Sequence, residues 1–240
     1  MPAMPAPVDA AYLAPNAFVD SDHPVVVDFA RRHGGGLPPR PAMVALYYAV
    51  RDGLRYNPWR VGMLPQDYTA SGVLLRDPAQ GGHCIDKANL LAASARALGV
   101  PSRLHFANVR NHIGTARLEA HLGTDLLVFH GYCELWLDER WVAATPAFNV
   151  ELCQRLGVSP LEFDGLHDSI FQEFDPSAGR FMEYIEDHGS FAGIPFEQMM
   201  AAWRRHYPRI MQRGAWPRPD SPLPGEEPAS GVVEGERARG

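Results

Sequence analysis

The stretch from Gly81 to Pro101, GGHCIDKANLLAASARALGVP, constrains the fold more than any other part of the chain. Ala88, Leu91, Ala92, Ala95 and Leu98 recur at intervals of three and four, the spacing that lines one face of an α-helix, and Cys84 stands one turn before Ala88 on the same inward stripe. Gly99 followed by Pro101 supplies the stop, because glycine takes the left-handed turn that closes helices and proline cannot continue one. The many alanines let such a helix lie close against a sheet. Helices also precede it. HPVVVDFARRHGGG has Pro24 where a first turn tolerates it and a glycine run from Gly34, which predicts a short helix near 24–33. PAMVALYYAVRDGLRYNP sets Val44, Tyr47, Tyr48 and Leu54 at helical spacing before Pro58.

Extended chain follows. SRLHFANV alternates as a strand, and DLLVFHGYCELWL as a longer one; DER turns the chain into WVAAT, which Pro146 ends. NVELCQRLG then reads as a helix, and the helical pattern returns around 180–188 and 195–212. Helices, a central helix and then antiparallel strands make an α+β fold. The 46% hydrophobic content suffices for one core over 1–212, whereas 213–240, rich in Pro, Gly and Glu without periodicity, reads as a disordered tail.

Charge and cysteine usage narrow the function classes. The net charge is −6 with basic residues scattered rather than striped, which argues against a nucleic-acid partner. No run approaches the roughly 18 apolar residues of a membrane span, and the N-terminus lacks the basic and apolar regions of a secretory signal, so no membrane and a cytoplasmic location are expected. Cys84, Cys133 and Cys153 are odd in number and widely spaced, hence free thiols.

Of the three, Cys84 stands where chemistry is favoured. Glycines 81 and 82 leave the approach to the helix start open to a substrate, and the helix N-terminus offers unpaired N–H groups and a positive dipole end that lower a thiol's pKa and hold an oxyanion. His83 is its neighbour in sequence and so faces elsewhere, which sends the search for a base to the strands. Alternation puts Val128, His130, Tyr132, Glu134 and Trp136 on one face of the longer strand and Phe129, Gly131, Cys133, Leu135 and Leu137 on the other. Cys133 thereby points away from His130, and it and Cys153 read as packing residues.

GGHCIDKANLLAASARALGVPSR followed by FHGYCELWLDERWVAATP resembles the transglutaminase-like superfamily of cysteine enzymes over about residues 40–150. The flanking ANVRNHIGT and PLEFDGLHDS resemble a bacterial subgroup of it, for which no substrate is settled. The resemblance implies a papain-like core with Cys84 as nucleophile and His130 as base, and an Asp before a Pro on the next strand. This chain instead has Thr145 before Pro146. A two-residue Asp138–Glu139 loop pairs Leu137 with Arg140 and sets Thr145 on the His130 face, where its hydroxyl can orient the imidazole without adding charge. A three-residue loop would turn Thr145 away, and Asn149 is the alternative orienting group. Arg110 and Asn111 follow a strand and can meet a substrate carboxylate or carbonyl. No His or Cys pair shows metal-ligand spacing, and no cofactor is required. The expected activity is acyl transfer through a thioester on Cys84, from a peptide, amide or acyl-thioester substrate, free or carrier-bound, to water or an amine. The competing class is a non-catalytic binding module that keeps the fold.

Overall fold

A computed structural model of the chain describes residues 8–112, 116–170, 174–175, 179–180 and 182–213. Four helices come first: α1 (Pro24–Gly34), α2 (Pro39–Gly53), α3 (Ala70–Leu75) and α4 (Cys84–Ala97). Pro24 occupies the first turn of α1 behind a His23 cap whose Nδ1 accepts the Val25 N–H, and α2 likewise opens on Pro39. The predicted central helix is α4, stopped at Gly99 in the left-handed region. It is buried on nearly all sides rather than along one stripe.

The sheet that α4 packs on is built from β1 (Ser102–Asn111), β2 (Leu126–Leu137), β3 (Arg140–Ala144) and the later β6 (Met182–Phe191), in the antiparallel order β3-β2-β1-β6. Helix α5 (Ala116–Leu122) joins β1 to β2, and α6 (Val150–Leu156) follows β3. A minimal hairpin, β4 (Phe174–Asp175) with β5 (Gly179–Arg180), leads to β6 (Met182–Phe191). The chain closes with α7 (Phe196–His206) and α8 (Pro208–Arg213).

Two expectations change here. The segment expected as a helix around 180–188 is β6, which covers the outer edge of β1. An unpaired edge offers a row of backbone donors and acceptors, and that demand overrides a weak local helical pattern. The helix expected over 195–212 is two, because Pro208 has no N–H to continue the ladder. The tail expected at 213–240 lies, past Arg213, outside the described residues. No described helix is long and apolar enough to cross a membrane.

The sheet separates two apolar clusters. Leu104, Phe106, Cys133, Leu135 and Val142 face α4 in the larger one. Ala107, Val109, Phe148, Leu152 and Cys153 form the smaller one on the opposite face. Cys133 and Cys153 are fully buried within these clusters, as packing residues are. Cys84 and Leu127 touch both clusters, so the start of α4 lies at their junction.

Candidate active site

The start of α4 is held by chain that comes well before it. Tyr56 bridges to Gly82, with the Asn57 N–H donating to Gly82 O and the Gly82 N–H to Arg55 O, both at 2.9 Å. Gly81 has φ +61°, and a Cβ there would lie 2.3 Å from Arg55 O. The glycine is therefore required by the neighbouring backbone. This corrects the expectation that the glycines clear a path for substrate: the space beside them is filled by protein. His83 caps the helix, its Nδ1 accepting the Asp86 N–H at 3.1 Å while Asp86 Oδ2 accepts the His83 N–H at 3.2 Å. Burial alone would raise the Asp86 carboxyl, but His83 and Arg76 beside it outweigh that and hold it at about 2. With Nδ1 accepting the Asp86 N–H, the lone pair of that nitrogen is committed to the cap and is not offered to the Cys84 thiol.

A break in β2 brings the second residue in. Ala107 pairs with His130 and Val109 with Leu127, so β2 has one residue more than β1 between these rungs, with Phe129 in the left-handed region at φ 60°. Asn108, itself buried, stabilises this bulge: its Oδ1 accepts the Phe129 N–H at 3.0 Å and lies 2.9 Å from His188 Nε2. The Phe129 ring stacks on His188 at 4.3 Å. Strict alternation therefore fails at this point. Val128, expected on the His130 face, packs in the larger cluster, whereas Ala107, the partner of His130, packs in the smaller one. Beyond the bulge, the Gly131 N–H reaches the Cys84 sulfur, joined there by the Ile85 N–H. A Cβ at Gly131 would stand 3.1 Å from Phe106 and 3.3 Å from Ile85, so these side chains would have to give way for any larger residue.

Cys84, His83 and His130 all line one cavity of ≈ 70 Å³. Its remaining wall is apolar or aromatic, including Leu118 and Leu122 from α5 and Trp203 and Tyr207 from the α7 end, and among the described residues no Asp, Glu, Lys or Arg lines it. The aromatic wall is fastened to β2 just upstream of His130: Trp203 Nε1 donates to Val128 O, and the Tyr207 hydroxyl donates to Leu126 O and accepts the Val128 N–H.

Burial governs the protonation states. It pushes the Cys84 thiol up to about 11, with Asp86 adding to the rise and the Gly131 and Ile85 N–H groups only partly offsetting it. It pushes His130 down to about 4, with His83 contributing in the same direction. The resting pair is thus a neutral thiol and a neutral imidazole. The lowered thiol pKa expected from the helix N-terminus is not met, because desolvation in an apolar junction outweighs the dipole.

Asp138 and Glu139 form the expected two-residue turn, both with positive φ, and the ladder runs from Leu137 opposite Arg140 to Cys133 opposite Ala144. Thr145 is one residue beyond it. Its N–H donates to Ser169 O and its carbonyl accepts from the Tyr47 hydroxyl, while its buried Oγ1 makes no hydrogen bond among the described residues. Asn149 has its Oδ1 engaged by the Tyr56 N–H at 3.1 Å. Arg110 does not line the cavity; it pairs with Asp125 at 2.6 Å and Glu183 at 3.3 Å. Asn111 ends β1, and its side chain lies outside the described residues.

Sequence reasoning did not single out Tyr56, Asn108, Trp203 or Tyr207. The last two had a signal, an aromatic pair four apart on a helix, but nothing local tied it to His130.

A match to the transglutaminase-like superfamily runs over residues 27–146, half of the 240-residue chain. No curated protein matches the chain. Among solved structures, a provisionally named cysteine protease from Cytophaga hutchinsonii is similar, with 17% identity and a TM-score of 0.41. The similarity covers 75% of this chain and 52% of that one, so this chain spans about half of that protein's length. The superfamily match takes in the α4 start, the bulged strand and the hairpin, and with them Cys84, His130 and Thr145. The chain belongs to the transglutaminase-like superfamily.

Proposed function

We propose that the protein is a cysteine-dependent acyl-transfer enzyme in which Cys84 attacks the carbonyl carbon of an amide or thioester. The observation that carries this reading is that Cys84 and His130 open onto the same uncharged cavity, with backbone N–H groups directed at the sulfur. A neutral imidazole is a competent base, and a neutral thiol needs one. His130 takes the thiol proton as sulfur bonds to carbon, so charge forms only in the transition state, where the Cys84 N–H receives the carbonyl oxygen. The tetrahedral species collapses as His130 passes its proton to the departing amine or thiol, leaving a thioester on Cys84. Water or an amine then attacks with His130 again as base, which releases an acid or an amide and restores the thiol. The Thr145 hydroxyl, which makes no hydrogen bond among the described residues, is the group we assign to orient His130 once substrate is bound. Arg110, held by two carboxylates, has no part in this reading.

A neutral resting pair is also what a non-catalytic module retaining the fold would have, and one experiment separates the two. The protein is incubated with S-acyl-N-acetylcysteamine thioesters and peptide amides and followed by intact mass. An acyl adduct on Cys84, absent from Cys84→Ser and slowed about 10²–10⁴-fold in His130→Ala, is expected. No adduct from any probe overturns the enzyme reading.

A further inference from the structure

One hydroxyl in the cavity wall has no role in the steps above. Tyr56 stands beside the nucleophile because its backbone bridges Gly82, its N–H is held by Asn149, and its ring packs edge-on against Phe148 at 4.8 Å. Most other polar groups of the wall are committed, although His83 Nε2 makes no hydrogen bond among the described residues. His83 Nδ1 caps α4, Trp203 Nε1 donates to Val128 O, and the Tyr207 hydroxyl is shared by Leu126 O and the Val128 N–H. The Tyr56 hydroxyl makes no hydrogen bond among the described residues. Burial, reinforced by the nearby Cys84 sulfur, raises the phenol well above its ordinary value, so it remains an O–H donor at every working pH.

The rest of the wall defines what lies beyond the carbonyl. With no Asp, Glu, Lys or Arg among the described residues of the wall, a carboxylate or ammonium on the substrate would be desolvated without a partner there. A volume of ≈ 70 Å³ is about half the roughly 150 Å³ of an engineered apolar cavity that binds benzene. That volume favours a few methylenes over an aromatic ring.

Resting on the acyl-transfer reading, we infer that the site takes a short, uncharged aliphatic acyl group. Its chain lies against Leu118, Leu122 and Trp203, and its carbonyl oxygen is received by the Tyr56 hydroxyl together with the Cys84 N–H. As sulfur attacks, the carbonyl π pair moves onto oxygen; Tyr56 strengthens its hydrogen bond without giving up its proton, and the pair returns on collapse.

The test compares two reactions of Cys84 in wild type and in Tyr56→Phe, which keeps the ring against Phe148. Alkylation by iodoacetamide forms no oxyanion, whereas acylation by a butyryl thioester does. Acylation is expected to fall about 10²-fold with alkylation within about twofold. Equal loss of both reactions, or loss of neither, overturns the role of Tyr56. Across acetyl, butyryl, octanoyl, benzoyl and succinyl thioesters, acetyl and butyryl are expected to react at least about tenfold faster than the last three. Leu122→Ala, with Leu122→Val as the milder variant, should move the preference toward longer chains. A flat profile, or a preference for succinyl or benzoyl, overturns the substrate class. Ready alkylation with no acylation from any thioester or peptide amide marks instead the failure of the acyl-transfer reading.

Discussion

Two histidines on one face of the same sheet, two rungs apart, have opposite surroundings. His105 pairs with Tyr132 across β1 and β2, and His130 pairs with Ala107. The His105 ring stacks on Tyr132 at 4.7 Å, with Nε2 2.8 Å from Asp187 and Nδ1 2.9 Å from Ser190 Oγ, which itself donates to Glu134. Burial alone would lower His105, but Glu134 and Asp187 outweigh it and raise it. Glu134 is in turn held at about 2: burial opposes this, and His105, Arg103 and Ser190 overcome it. No carboxylate among the described residues lines the cavity of His130, and burial pushes it down to about 4. The same side chain is thus shifted toward its cation at one rung and toward the neutral base at the other. Only the second can take a proton from a thiol.

The largest expected effect tests this contrast directly. His130→Ala should slow acylation of Cys84 by about 10²–10⁴-fold, whereas His105→Ala should leave it within about threefold. Comparable losses from both would erase the distinction between base and structural cation.

Stability should depend on pH with opposite sign at the two rungs. The folded value of His130 lies below its ordinary 6.5, so between about 6.5 and 4 the unfolded chain binds the extra proton and stability falls as pH falls. The loss is on the order of 3 kcal/mol, and His130→Gln should remove it. The folded value of His105 is raised, so its contribution is fully present below about 6.5 and fades as pH rises through the folded value. His105→Gln should therefore cost more at pH 6 than at pH 9. Urea titrations of both variants across pH read the two slopes, and parallel slopes would refute the assignment.

The bulge beside His130 carries the next effect. Asn108→Ala removes the acceptor of the Phe129 N–H and a partner of His188, a loss of about 1–3 kcal/mol in thermal or urea unfolding. Because the bulge aims His130 and the Gly131 N–H, acylation should drop while the pH slope owed to His105 persists. The smallest effect belongs to Thr145→Val. Removing a buried hydroxyl that makes no hydrogen bond should leave stability unchanged or slightly higher. If that hydroxyl orients His130, acylation falls by up to about tenfold; unchanged acylation removes Thr145 from the site.

Much of this was legible along the chain. The α4 start at Cys84, its stop at Gly99, the two helices before it and the β2–β3 register all follow from local spacing. The hairpin register held although Asp138 and Glu139 both adopt positive φ without a glycine, at some local cost. The strand over 182–191 was not legible, because what makes it a strand is the open edge of β1, far away in sequence. Nor was the bulge: Asn108 and Phe129 interrupt two alternating runs, and only their pairing across the ladder reveals the extra residue.

Sequence alone determined which residues could carry chemistry: a cysteine opening a helix, a histidine on a strand, and a threonine before a proline where a carboxylate was expected. Tertiary structure decided their states. It buried Cys84 where two apolar clusters meet, raising its thiol, and lined the cavity that it shares with His130 with no Asp, Glu, Lys or Arg among the described residues. Spacing along the chain sets which groups share an element or a face. Desolvation and unpaired polar groups depend on what the rest of the chain brings alongside, and no local pattern encodes that.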